Sequence, residues 1–496
     1  MYMEEKQNTP RTLSEVISVY TAGDALPMHM PGHKRNAKML PEVLQDCCGL
    51  DITEIEGFDN LHHATGLLRG CQARADRLWG TRRSFFLVNG STCGLLAAIR
   101  AQTRPGDTVL VARNCHKAVY HAIELCRLKP IYLFPEVDAA SGVAGSIPPA
   151  QVKQALDEHP AATLVILTSP TYEGVISDIA SIAAAAHRQG VPVLVDEAHG
   201  AHLGFSTEFS GEALQAGADI VVMSLHKTLP ALTQTALVHV SGDLADVGRL
   251  ERELSVFETS SPSYILMASI DACVSLLEKQ KDALFSNYIR ALDELDRQLA
   301  RLVNLTPLCR GGDESHPAFY GFDRGKVVIG TWRAGLSGTE LAGILRGRFH
   351  IEVEMASADY ILAITSICDT PEMLARFGDA LLEIDAGLRR SEATEIYALE
   401  LMPEVRLPAG EAVFLAGEPV ALFRAEGRTS LEYLWAYPPG IPLVVPGEAI
   451  TAAVLRMIRH MTDAGVEVNA SSGDGRVIIC AAPNDPIQVW ETGENV

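Results

Sequence analysis

Six strand-sized runs between residues 80 and 240 are apolar at consecutive rather than alternate positions: "SFFLVNGST", "TVLVARNCHK", "TLVILTSPTYEG", "PVLVDEAHG", "DIVVMSLHK" and "TALVHV". A strand of that kind has both faces covered, and the amphipathic Ala- and Leu-rich stretches between the runs supply the helices to cover them. The predicted fold class is therefore α/β, with a mostly parallel sheet. In five of the runs the polar residues come last, as "NGST", "RNCHK", "SPTY", "DEAH" and "SLHK". Ligands of open α/β sheets bind outside the carboxyl ends of the strands, so one rim is predicted to carry the chemistry.

A chain of 496 residues exceeds one ordinary core and is read as several units. We expect an N-terminal arm over 1–24 and a large domain over 25–300 that ends in a long helical stretch, 261–302. A smaller α+β domain follows over 301–395, with "KVVIGTW" and "YILAITSI" as strands. After the charged stretch "RRSEATEIYALE" comes a C-terminal domain over 396–496, holding the turn-rich loop "AYPPGIPLVVPGE". No apolar run reaches the roughly 18 to 20 residues of a membrane span. The opening "MYMEEKQNTPRTLSE" has no basic, apolar leader, so a cytoplasmic protein is expected. The ten cysteines form no C-x-x-C pair and read as reduced core residues. A net charge of −21 argues against nucleic acid and is compatible with cationic ligands.

On the rim, Lys227 ends the run "DIVVMSLHK". A partly desolvated lysine at a strand end has a lowered pKa and can form a Schiff base with an aldehyde. The cofactor that uses such a lysine is pyridoxal 5'-phosphate, and it needs three more parts. Asp196 is the candidate carboxylate for its pyridine nitrogen. "NGST", with Ser91 and Thr92 opening a helix, offers amides and hydroxyls to its phosphate, and Ser224 and His226 complete that site. His116 is the candidate to stack on its ring. Singly, each residue has a plainer reading: a solvated lysine, a capping Asp, an ordinary helix start, hydrogen-bonded neutral histidines. Their ordered appearance on successive strand ends is what carries the argument. Asp196, His199 and His202 also permit a metal reading, weakened because three residues on an extended segment diverge in direction.

With these residues stand "MHMPGHKRN", "DITEIEGFDNLHHATG", "NCHKAVYHAI", "SLHKTLPALTQTA", "ETSSPSYILMASID" and "YPPGIPLVVPGE", and together they resemble the bacterial ornithine/lysine/arginine decarboxylases. The resemblance implies a pyridoxal-phosphate enzyme of fold type I, with a large domain, a smaller α+β domain and a C-terminal domain. It implies Lys227 as the Schiff-base lysine, Asp196 as the pyridinium partner, His116 as the stacking residue and His199 near the cofactor's phenolic oxygen. It further implies Ser91, Thr92, Ser224 and His226 around the phosphate and the lysine. The early "MPGHKRN" is similar to the short form, without the extra N-terminal domain of the acid-induced members, and a homodimer or homotetramer with interface active sites is implied. The expected reaction is decarboxylation of arginine, lysine or ornithine, with arginine favoured by analogy. Lys227 or His226 would return a proton to Cα, and Glu448 is a candidate for the substrate's distal cation. An aminotransferase is the alternative, for which Arg333 in "GTWRAG" would clamp the α-carboxylate. A non-catalytic homologue is disfavoured, because the expected residues are present.

Overall fold

The computed structural model describes residues 11–310, 316–391, 404–436, 440–470 and 476–480. Tyr437, Pro438 and Pro439 of the turn-rich loop, most of the charged stretch 389–400, and the first ten residues lie outside them.

The apolar runs form one seven-stranded sheet. Its strands are β1 (Arg83–Leu87), β2 (Thr108–Ala112), β3 (Lys129–Leu133), β4 (Ala162–Thr168), β5 (Val193–Asp196), β6 (Ile220–Ser224) and β7 (Ala236–Val240). Their spatial order is β1-β7-β6-β5-β4-β2-β3. From β3 through β6 every pairing is parallel, whereas β7 runs antiparallel to both β6 and β1. The run "TALVHV" is thus the one reversed strand. Only eleven residues separate β6 from β7 (225–235), fewer than the dozen or more that a parallel crossover needs. β3, the edge strand, is partly exposed and carries Pro130, so it lacks the continuous apolar signature of its neighbours.

Helices cover both faces of the sheet. The longest, Tyr264–Leu299, has 36 residues and spans about 54 Å. Its Asp271 is fully buried, accepting from Arg74 Nε at 3.0 Å and from the backbone N–H of Leu13 at 2.7 Å. The short N-terminal helix Leu13–Thr21, closed by a capping box between Thr12 and Glu15, is therefore docked on the long helix.

The two strands expected in the smaller unit form as β9 (Lys326–Gly330) and β11 (Tyr360–Ile364), flanked by β8 (Thr306–Pro307) and β10 (Met355–Ala356). The order of this antiparallel sheet is β10-β11-β9-β8. It is tied to the large sheet by a ladder between Val175–Ile176 and Gly321–Phe322. The C-terminal region folds around its own apolar cluster, which includes Leu434, Leu443, Ile450 and Ile458. No helix among the described residues is long and apolar enough to cross a membrane.

Candidate active site

The carboxyl ends of the parallel strands open into a cavity of about 650 Å³. Ser91, Thr92, His116, Asp196, His199, Ser224, His226 and Lys227 all line it. Eight residues from four of the runs thus meet in one place, as the rim argument requires.

Lys227 lies in the single helical turn Leu225–Thr228 that follows β6. Burial pushes its ammonium below the usual lysine range, with Asp196 and Glu354 opposing. Asp196 ends the neighbouring strand β5 and is 2% exposed. Its carboxylate accepts from the N–H of Ala198 at 3.2 Å, and burial pushes it above its ordinary range while Lys227 pulls it down. His199 lies against the lysine, its Nε2 3.0 Å from Lys227 Nζ.

The helix Gly90–Gln102 begins at the cavity wall, and no side chain caps it. Gly90, at φ +75°, makes the turn from β1 that only glycine adopts freely. Ser91 Oγ and Ser224 Oγ are 2.6 Å apart, joining the helix start to the end of β6. His116 precedes the helix Lys117–Cys126, and its Nδ1 accepts from the N–H of Ala118 at 3.2 Å. Burial and Lys227 push its imidazolium down to about 4, so the ring is uncharged at neutral pH. His226 contacts the carbonyl of Thr235 through Nδ1 at 2.8 Å, which puts its proton on Nδ1 and leaves Nε2 as an acceptor.

Other lining residues were not singled out from the sequence. Tyr172, within the "SPTYEG" motif, packs edge-on against His199 with centroids 4.7 Å apart. Its hydroxyl donates to Glu354 Oε1 at 2.5 Å. Glu354 comes from the smaller unit, just before β10. Behind the lining, Lys326, the first residue of β9, is 0% exposed, and its Nζ lies 2.8 Å from His199 Nδ1.

One expectation is corrected, and two alternative readings lose their geometry. Glu448 does not line the cavity: it is 2% exposed, its Oε2 lies 3.0 Å from Arg113 Nη2, and the same oxygen accepts from the N–H of Val445 at 2.8 Å. Its Oε1 has no hydrogen-bond partner among the described residues but is buried outside the cavity lining. Arg333 is exposed and also absent from the cavity lining, so the α-carboxylate clamp of an aminotransferase is not where that alternative needs it. The metal reading fails on direction: His202 contacts Asp323 at 3.1 Å, and His199 contacts the two lysines.

A half-buried lysine thus stands at the carboxyl end of a parallel strand, beside a buried carboxylate on the next strand and three imidazoles held below the usual histidine range, in an α/β fold. Residues 12–309 match the family described as "Orn/Lys/Arg decarboxylase, major domain", and residues 405–468 match its C-terminal domain. The chain belongs to the Orn/Lys/Arg decarboxylase family and is an amino acid decarboxylase. It is 34% identical over 448 residues to an arginine decarboxylase of Bacillus subtilis (strain 168), covering 89% of this chain and 91% of that one. It is 32% identical over 482 residues to an arginine decarboxylase of Bacillus anthracis, covering 94% and 96%. The crystal structure of the Francisella novicida lysine decarboxylase shares the fold, with a TM-score of 0.80 at 20% identity over 94% of this chain and 80% of that one. The aminotransferase alternative gains no support from these relatives.

Proposed function

We propose that the protein decarboxylates a basic amino acid, arginine before lysine or ornithine, with pyridoxal 5'-phosphate as its cofactor. The observation that carries this reading is the convergence of Lys227, Asp196, His116 and the uncapped helix start at Gly90 on one cavity. Arginine is favoured because both relatives named above that are more than 30% identical are arginine decarboxylases.

The residues fit the cofactor. The uncapped N–H groups of the helix Gly90–Gln102 and the hydroxyls of Ser91, Thr92 and Ser224 form an anion site. Asn114 Oδ1 is a buried cavity atom without a hydrogen-bond partner among the described residues, so the wall has a polar group to spare. When bound, the cofactor supplies a protonated ring that draws in the electron pair left as the carboxylate departs as CO2.

This chain's residues do the rest. Lys227 presents the amine that holds the cofactor. Asp196 keeps the proton on the ring nitrogen, a role suited to a buried carboxylate. The uncharged His116 covers the ring without competing for its electrons. Lys227, or His226 once its Nε2 has taken up a proton, returns a proton to Cα. Glu354, fixed by Tyr172, takes the distal cation of the substrate in place of Glu448.

A homodimer or homotetramer with its site near the subunit boundary is part of the same reading. It is supported by Leu26, Met28, Met39 and Val43, around the "MHMPGHKRN" motif, which are 79% or more exposed. The chain's division at about 301 and 396, and a cytoplasmic site of action, complete it. Buried thiols such as Cys71 and Cys273, each pushed up to about 12 by burial, suit a reducing compartment.

The test is a spectrum of the purified protein, followed by CO2 and amine detection with arginine, lysine and ornithine in parallel. A near-visible band that borohydride bleaches, lost in Lys227→Ala, together with CO2 from arginine, is expected. Bound cofactor without CO2 from any of the three substrates would overturn the reaction, and a Lys227→Ala variant that kept band and turnover would overturn the site.

A further inference from the structure

Behind His199 of the cavity wall lies a second lysine to which the functional reading assigns no role. Lys326 is wholly buried, begins a strand of the smaller sheet, and reaches His199 across the junction with the large sheet. Its stem passes against Gly174 of the "SPTYEG" loop, where an added Cβ would lie 2.7 Å from Lys326 Cγ. The turn before it is pinned: Lys326 N–H donates to Asp323 O at 3.0 Å, Asp323 Oδ1 meets His202 Nε2 at 3.1 Å, and Thr365 Oγ1 donates to Gly325 O at 2.8 Å. Tyr288, bonded to Thr365 at 2.6 Å, closes the far side.

His199 therefore has an amine at each ring nitrogen, 2.8 Å from Nδ1 and 3.0 Å from Nε2. A neutral imidazole has one N–H and one lone pair, and an ammonium has donors only. Two ammonium groups cannot both bond one neutral ring, and a charged ring between them would bury three adjacent cations. One of the two lysines must be the free amine. Lys326 faces three carboxylates, Asp323, Glu354 and Glu173, whereas Lys227 faces Asp196 and Glu354. Asp196 is also the carboxylate committed to the cofactor's ring nitrogen.

We propose that Lys326 is a positioning residue: its ammonium donates to Nδ1 of His199, the ring proton is thereby held on Nε2, and Nε2–H donates to Lys227, which is kept as an uncharged amine. The inference rests on Lys227 being the reactive amine of the proposed function. Burial pushes Lys326 down to about 8, so it still carries its proton at neutral pH. His199, facing both lysines as well as His116 and His226, is held well below the usual histidine range and stays neutral. The consequence is that a residue of the smaller unit sets the state of the amine at the end of β6.

The experiment is reductive methylation of the full chain, stripped of cofactor, with formaldehyde and cyanoborohydride across pH 6 to 10. Modification of Lys227 is read by peptide mass spectrometry against the exposed Lys153, and folding is checked by circular dichroism. Lys326→Met is expected to slow labelling of Lys227 about tenfold at pH 7, equivalent to a midpoint raised by about one pH unit. Lys326→Arg is expected to label within twofold of the parent, and in a His199→Phe background Lys326→Met is expected to change nothing. Lys326→Gln is run beside Lys326→Met, so that loss of fold in one leaves the other to decide. Unchanged labelling in the folded variants would overturn the proposal. So would a tenfold effect that survives in the His199→Phe background, since that is a charge acting through space and not through the ring. The readout needs neither CO2 release nor bound cofactor, so its failure is separable from failure of the decarboxylase reading.

Discussion

Replacing Glu448 by leucine is the sharpest test of what that carboxylate does. In the folded chain Arg113 is 0% exposed, and its guanidinium donates to Glu448 Oε2 at 3.0 Å and to the carbonyls of Pro442 and Leu443 at 2.8 and 3.3 Å. It also lies over the rings of Tyr120 and Tyr132, 5.4 and 5.5 Å from their centroids. The residue joins the end of β2 to the C-terminal region. Removing the carboxylate leaves a buried cation with neutral acceptors only, a change that costs about 3–5 kcal/mol. In the double variant Arg113→Met/Glu448→Leu no charge is left behind. Two carbonyls then lose a donor, so the double variant is expected to be no less stable than Glu448→Leu and to show a coupling of more than about 1 kcal/mol in the cycle. Calorimetry and limited proteolysis, read at sites within 404–480, give the stabilities. The conservative Glu448→Gln supplies the functional arm, with KM for arginine within twofold of the parent. Wild-type stability of Glu448→Leu would refute the clamp. A tenfold rise in KM in folded Glu448→Gln would return Glu448 to the substrate site.

Two further outcomes follow from the site geometry. Glu354→Gln is expected to raise KM for arginine about tenfold to a hundredfold, the loss of one charge-assisted hydrogen bond at about 1.5–3 kcal/mol, with a smaller change in kcat; an unchanged KM would remove Glu354 from the distal-cation site. His116 titrates at about 4 in the fold against about 6.5 in an unfolded chain, so between those values the unfolded chain binds more protons. Stability is therefore lost as the pH falls from 6.5 towards 4, by at most about 3 kcal/mol and less for a ring that is partly open to solvent. Urea unfolding at pH 7 and pH 4.5 is expected to show a smaller pH difference for His116→Phe than for the parent, and equal differences would sink the assignment.

The rim was legible because its logic is local. A parallel strand covered on both faces must be apolar throughout, so the residues that break the run mark the end where ligands bind, and Ser91, His116, Asp196 and Lys227 were all placed by that rule. The direction of β7 was legible too, in the short span between Ser224 and Ala236, but its composition matches the parallel runs and composition was what the reading used. Edge strand β3 was missed for the opposite reason, since partial exposure and Pro130 remove the signal.

What local pattern could not supply is the half of the site built by long-range contact. Lys326 opens "KVVIGTW" as a lysine at the start of a strand, a position that is ordinarily solvated, and nothing nearby in sequence announces that the turn at Gly174 will cover it. Glu354 sits in "HIEVEM", alternating as an exposed edge would, and its bond to Tyr172 spans 182 residues. Glu448 misled in the mirror-image way: a glutamate after Pro-Gly reads as open to a ligand, while the partner that buries it is 335 residues distant. Lys227 is thus surrounded by two kinds of group. Asp196 and His226 come from the large sheet and are fixed by motif, whereas Lys326 and Glu354 come from the smaller unit and are fixed only by how the two sheets meet. A substitution that shifts β9 or the ladder between Val175–Ile176 and Gly321–Phe322 should accordingly alter the protonation of Lys227 while every motif residue stays in place.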